Sequence, residues 1–298
     1  MKVLVLGASG NLGKHVCQEF VAAGCLVTKI ERSSGDLRHC TREAMYRLRD
    51  RLSGIDAHLV VNCAAYTDVD GAEEHSDEAF MVNAVGAEMV ARAAGELGVS
   101  VCHISTDFVF DGGLSRPYDE FDEPRPLSVY GRSKFAGERM VRFVNPKSYI
   151  VRVCSLYGRG GRNFASQIVE RLKAGQTLRL DQKRRCTPTW SRSLARQILT
   201  LCRRGEFGVY HASCLEETTW FGFAQALCDE AAALGCPLPR TFEGVDTSSL
   251  SQKAERPAQS VFDCRMLRMR GIFELPPWRD ALRDYLKELI ARKELQPR

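Results

Sequence analysis

The sequence predicts an α/β fold in which a doubly wound parallel sheet is followed by a smaller, irregular α/β part. Two observations carry this. Up to Gly160, short apolar runs alternate with helical patterns, as parallel strands alternate with crossover helices. The first of these runs passes through a glycine-rich turn directly into a helical pattern.

The elements follow in order. Residues 2–6 (KVLVL) form a short, continuous apolar run, the mark of a parallel strand buried on both faces. Then come Gly7, Ala8, Ser9, Gly10, Asn11, Leu12 and Gly13, and a helical pattern through Val16, Phe20 and Val21 that stops at Gly24. Strand, glycine turn and helix together suit a dinucleotide pyrophosphate. Gly7 permits the tight turn, Gly10 lets backbone approach the phosphates, and Gly13 lets helix and strand pack closely. The spacing is G-x-x-G-x-x-G. This predicts a Rossmann-like cofactor domain over 1–160. Residues 161–298 are then mainly a substrate-binding domain, with some segments returning to the first sheet.

The second strand, 26–30, ends at Glu31, Arg32, Ser33 and Ser34, where such a unit reads the adenosine ribose. Glu31 suits the ribose hydroxyls of NAD(H). Arg32 with the serines suits the 2′-phosphate of NADP(H), which is favoured because a guanidinium forks onto phosphate. Asp36 and Leu37 fall where a loop lies beside the adenine. A polar helix is expected over 41–52 and a third strand over 58–62, opening into a run with Cys63, Ala64, Ala65 and Tyr66 whose small residues let backbone approach a ligand. A long helix is expected over 77–97 and a fourth strand over 100–104. Thr106 follows that strand at its carboxyl end, where open α/β sheets bind ligands, and is placed to hydrogen-bond a substrate oxygen.

Residues 111–126 read as a loop leading to Tyr130-Gly-Arg-Ser-Lys134 at the head of a helix. Tyr130 and Lys134, four residues apart, share one helix face. An ammonium beside a phenol favours the phenolate, so the pair suits proton transfer to or from an alcohol oxygen. A fifth strand is expected over 148–153. Beyond Gly160 the pattern gives helices over 163–173, 191–203, 218–234 and 278–295, short strands near 178–180 and 208–211, and a polar stretch over 238–259. Trp278, Leu282 and Leu286 are expected in the core.

Composition narrows the function. The chain is 44% apolar and 27% charged, with a net charge of +5 carried by dispersed residues, not the basic stripe of a nucleic-acid binder. Twelve cysteines lie mostly in apolar runs and form no Cys-x-x-Cys pair, as expected of buried thiols in a reducing compartment and not of a disulfide or zinc framework. No apolar run is long enough to span a membrane, and no signal-peptide pattern is visible, so a cytoplasmic location is expected.

The chain resembles the extended short-chain dehydrogenase/reductase family, and within it the dTDP-4-dehydrorhamnose reductases. The carrying motifs are GASGNLG (7–13), NCAAYTDVDGAE (62–73), STDFVFDG (105–112), PYDEFDEPRPLSVYGRSKFAGE (117–138), PTWSRSLA (188–195), GVYHAS (208–213) and RPAQSVFD (256–263). The resemblance implies an NADPH-dependent reduction of the 4-keto group of a nucleotide-linked deoxysugar. Tyr130 would be the catalytic acid, Lys134 the residue that binds the nicotinamide ribose and lowers the Tyr130 pKa, and Thr106 the hydroxyl that orients the ketone. Ala64, Ala65 and Tyr66 would lie along the cofactor. Thr67, Val69, Asp107 and Phe108 would face the substrate. Where those reductases carry Ser-Trp-Val-Tyr, this chain has Ser155-Leu156-Tyr157, and its 181–189 segment, DQKRRCTPT, is longer and basic. Leu156 and Arg185 are therefore expected to shape the substrate pocket. His15 stands where some relatives carry a glutamate linked to magnesium and dimerisation, so no metal is expected, and a homodimer is the assembly considered. The same departures also resemble the NADP-binding regulatory beta subunit of methionine adenosyltransferase, which implies a partner-subunit role as one alternative; a reductase of a different nucleotide-linked ketosugar is the other.

Overall fold

The computed structural model describes residues 1–30, 36–161 and 163–296. Six parallel strands form the central sheet. They are β1 (Lys2–Leu6), β2 (Leu26–Ile30), β3 (Leu59–Asn62), β4 (Ser100–Thr106), β5 (Ser148–Val153) and β10 (Gly208–Ala212), in the order β10-β5-β4-β3-β1-β2. Strand order reverses at β1, which has β2 on one side and β3 on the other, so a crevice opens between the carboxyl ends of β1 and β3. Alternate residues of β1 serve the two faces. Val3 and Val5 join the core beneath α1 (Asn11–Ala22), and Leu4 and Leu6 join the core beneath α2 (Arg42–Gly54) and α5 (Gly86–Gly95).

On the first face, α1 packs against α8 (Ser191–Arg204), a helix from the second half of the chain. On the other, α5 packs between α2 and α6 (Val129–Val144). β10 also comes from the second half and closes the sheet by pairing with β5. The remaining elements form a smaller layer. β6 (Leu156–Tyr157) pairs with β9 (Thr189–Trp190), and β7 (Leu178–Asp181) pairs with β12 (Phe242–Val245). β8 (Arg185–Cys186) lies between β11 (Thr218–Thr219) and β13 (Gln259–Ser260). Helices α7 (Phe164–Lys173), α9 (Trp220–Ala233), α10 (Arg265–Met269) and α11 (Trp278–Ala291) complete it. Trp278, Leu282 and Leu286 of α11 are buried, as expected.

After β3 the chain enters α3 (Val69–Glu74), its first turn capped by Asp68 accepting from Gly71 N at 2.9 Å. Three local expectations are corrected. The helix expected over 77–97 is α4 (Ser76–Phe80), a π-helical turn (Met81–Val85) and then α5. β4 extends two residues beyond its apolar run, because Ser105 and Thr106 pair with Arg152 and Val153. The polar stretch over 238–259 contains β12, an edge strand formed by pairing with β7.

Candidate active site

The glycine turn and the end of β3 build one wall of a cavity of about 610 Å³. Gly7 has φ +69°, and a Cβ there would lie 2.9 Å from Ala64 N, so only glycine lets the two loops meet. A Cβ on Gly13 would run into the Gly7 carbonyl, which explains the close seating of α1 on β1. Gly10 is the N-cap of α1, with no side-chain cap and no acidic residue in the first turn. The free amides there can receive a phosphate. Ser9, Asn11 and Leu12 line the cavity with Gly7 and Gly10, as do Asp36 and Leu37. Cys63, Ala64, Ala65 and Tyr66 line it from β3, with Thr67 and Val69 just beyond. Arg32 lies outside the described residues.

The opposite wall comes from β4 and α6. Thr106 sits at the end of β4, its hydroxyl donating to Asp107 Oδ1 at 3.0 Å and accepting from Phe108 N at 3.2 Å. Ser128 caps α6 by accepting from Gly131 N at 3.1 Å, which sets Tyr130 and Lys134 in the first two turns. Tyr130, Lys134, Thr106, Asp107 and Phe108 all line the same cavity. The Phe108 ring meets the Tyr130 ring edge-on, with centroids 5.6 Å apart.

Burial raises the Tyr130 pKa to about 12, hydrogen bonding with Thr106 pulls it back, and the Asp107 charge adds to the rise. Lys134 Nζ donates to the Ile104 carbonyl at 2.6 Å. Burial lowers the Lys134 pKa to about 8, against the opposing pull of Glu138. A phenol that keeps its proton near neutral pH is the form that can donate one.

A second cavity of about 320 Å³ adjoins the first, sharing Asp107, Phe108, Ser155 and Phe164 with it. Its far wall carries Trp220, whose ring centroid is 3.8 Å from that of Phe164, together with Arg184 and Arg256. Arg184 is buried and its Nε has no hydrogen-bond partner, while its Nη2 donates to Gln252 at 3.2 Å. Arg256 forks onto Asp70, at 3.0 and 2.9 Å. Leu156 lines the first cavity, as expected. Arg185 lines neither. Its guanidinium turns away to Glu217, with Nε donating to Oε1 at 2.8 Å. Arg184, in the turn before β8 where its N–H donates to Asp181 Oδ1, and Cys186 on β8 line the second cavity, and Arg185 does not.

Comparison with known proteins agrees with this architecture. The family model described as the RmlD substrate binding domain matches residues 1–291. The chain belongs to the RmlD family. Among its relatives is the dTDP-4-dehydrorhamnose reductase of Mycobacterium tuberculosis, 34% identical over 94% of this chain and 91% of that protein. Another is the spore coat polysaccharide biosynthesis protein SpsK of Bacillus subtilis, 33% identical over 96% of this chain and 97% of that one. The crystal structure of the Bacillus anthracis dTDP-4-dehydrorhamnose reductase in complex with NADP superposes with a TM-score of 0.90 at 32% identity, covering 96% of this chain and 99% of that one.

One residue of this RmlD-family site escaped assignment from sequence. Asn83 occupies the π-helical turn and is fully buried. Its Oδ1 accepts from Tyr66 N at 2.9 Å, and its Nδ2 donates to Tyr66 O at 3.1 Å and Ser133 Oγ at 3.0 Å. Ser133 Oγ in turn donates to Tyr130 O at 2.8 Å. Asn83 thus couples the loop at the end of β3 to the helix that carries Tyr130. An asparagine inside an alanine-rich helix was the available signal, because it lowers helix propensity without an evident local reason. The departure from α-helical geometry is a frequent mark of functional positions.

Proposed function

We propose that the protein uses NADPH to reduce the 4-keto group of a nucleotide-linked deoxysugar, with Tyr130 as proton donor. The observation that supports this most is the convergence of Thr106, Tyr130 and Lys134 on the cavity that the glycine turn opens. NADPH, when bound, supplies the hydride. Gly7, Gly10 and the start of α1 would hold its pyrophosphate, and Ala64, Ala65 and Tyr66 would lie along it. The Thr106 hydroxyl orients the keto oxygen toward Tyr130. The phenol gives that oxygen its proton as the carbonyl becomes an alkoxide, so ketone, hydride and proton balance to an alcohol. Lys134 stabilises the phenolate that remains.

In this reading the cofactor belongs to residues 1–160 and the nucleotide end of the substrate to 161–298. The second cavity suits that end. Arg184, which faces Asp181 at 3.5 Å, lines that cavity and brings a guanidinium charge to a diphosphate, and the Phe164–Trp220 pair offers ring faces to a base. Nine of the twelve cysteines are buried free thiols, which supports a reducing, cytoplasmic location. The test is NADPH oxidation against a panel of nucleotide-linked 4-keto sugars. Turnover of one of them is expected. Tight NADPH binding with no turnover across the panel would refute the enzyme reading in favour of a regulatory subunit.

A further inference from the structure

We propose that Glu138 is a positioning residue for this reduction, holding Lys134 in place and in its ammonium form. The inference rests on the roles given above to Tyr130 and Lys134. Glu138 follows Lys134 by one turn of α6, on the same face. Both are 2% exposed. The Glu138 carboxylate is fixed from two strands. Its Oε1 accepts from Ser105 Oγ at 2.5 Å and Arg152 Nε at 3.0 Å, and its Oε2 accepts from Arg152 Nη2 at 2.7 Å. Ser105 directly precedes Thr106 on β4, and Arg152 directly precedes the cavity-lining Val153 on β5. One buried carboxylate therefore ties the lysine helix to the strand that ends in Thr106.

The surrounding charges give Glu138 a chemical role beyond packing. Lys134 and Arg152 are two buried cationic side chains. Burial pushes the Lys134 pKa down, which disfavours its ammonium form. Cys63 also favours that charge, but less than Glu138 does, and burial pushes its thiol well above its usual range; burial and Lys134 itself push His103 on β4 well below its own. The phenol of Tyr130 is neutral, Asn83 and Ser133 carry no charge, and the Ile104 carbonyl contributes a dipole only. Asp107 is buried, has its pKa raised by that burial, and accepts from Thr106. Glu138 is the carboxylate whose attraction opposes the burial of Lys134.

The test is the pH dependence of kcat/KM for NADPH in the full-length protein, which reports groups of the free enzyme. In the parent protein the value falls on the alkaline side as Lys134 loses its proton. Glu138→Gln keeps the shape and removes the charge, so that fall is expected to move to lower pH by about one unit or more. Because Glu138→Gln leaves Arg152 buried without its partner, the double variant E138Q/R152M is measured beside it; removing the Arg152 charge offsets part of the loss, so it is expected to show a smaller displacement in the same direction. A lower rate at every pH with an unmoved midpoint would mean Glu138 only packs, and would overturn the proposal. Tyr130→Phe is run in parallel. If it still turns over, the reading of the site itself fails; if it is inactive and the E138Q midpoint is unmoved, only the role of Glu138 fails.

Discussion

Asn83→Ala tests how the cofactor loop is held. The substitution removes three hydrogen bonds from a fully buried side chain and leaves both the N–H and the C=O of Tyr66 without that partner. Tyr66 is half-buried and lines the cavity, so water can reach its backbone and the lower end of the usual penalty applies. At roughly 1 kcal/mol for each of the two backbone groups, and about 1 more for the lost side-chain volume, the cost is about 3 kcal/mol. For a chain of this size that lowers Tm by roughly 5 °C. Residues 64–66 also lose their anchor, so NADPH must order them on binding, and its Kd is expected to rise by about tenfold. Thermal denaturation followed by circular dichroism gives the first quantity, and calorimetric titration with NADPH gives the second. A variant that melts within about 1 °C of the parent and binds NADPH equally well would show that Asn83 does not hold the loop.

Tyr130→Phe should lower turnover by roughly 10²–10⁴-fold, the usual contribution of a positioned acid, while leaving NADPH affinity nearly unchanged; unchanged turnover would remove Tyr130 from the mechanism. Arg184→Met should raise KM for a nucleotide-linked sugar by roughly 10–100-fold, through loss of charge-assisted bonds to the diphosphate, with little change in NADPH affinity. Equal KM values would place the diphosphate elsewhere. Arg32→Ala should weaken NADPH more than NADH, and equal losses in a binding titration would mean Arg32 does not read the 2′-phosphate.

The cofactor side of this site was legible because it is built from local sequence. A buried strand, a glycine turn and a helix are adjacent in the chain, and each residue type there answers a backbone requirement that stays the same wherever the unit is placed. Tyr130 and Lys134 were legible for a similar reason, since helical periodicity alone puts them on one face. That Thr106 shares their cavity followed from the rule that α/β ligands sit at the carboxyl ends of strands.

What tertiary structure alone decided depends on contacts between distant segments. Arg184 and Arg185 are equally basic in sequence; the turn at Asp181 holds Arg184 at the cavity, and the pairing of β8 with β11 and β13 carries Arg185 to Glu217 instead. The π-helical turn at Asn83 appears only where α6 packs against it, with Gly137 so close that a Cβ would strike the Asn83 carbonyl. Burial, which pushes the Tyr130 pKa up, is a property of the whole fold and not of the Tyr130–Lys134 spacing. The motif YGRSKFAGE contains both Lys134 and Glu138, yet their coupling acquires a direction only when β5 brings Arg152 to the same carboxylate. The sequence by itself determined which groups could carry the chemistry. The packing of distant strands and helices decided their protonation, their partners and which arginine faces the second cavity, because desolvation and register do not exist until the chain is folded.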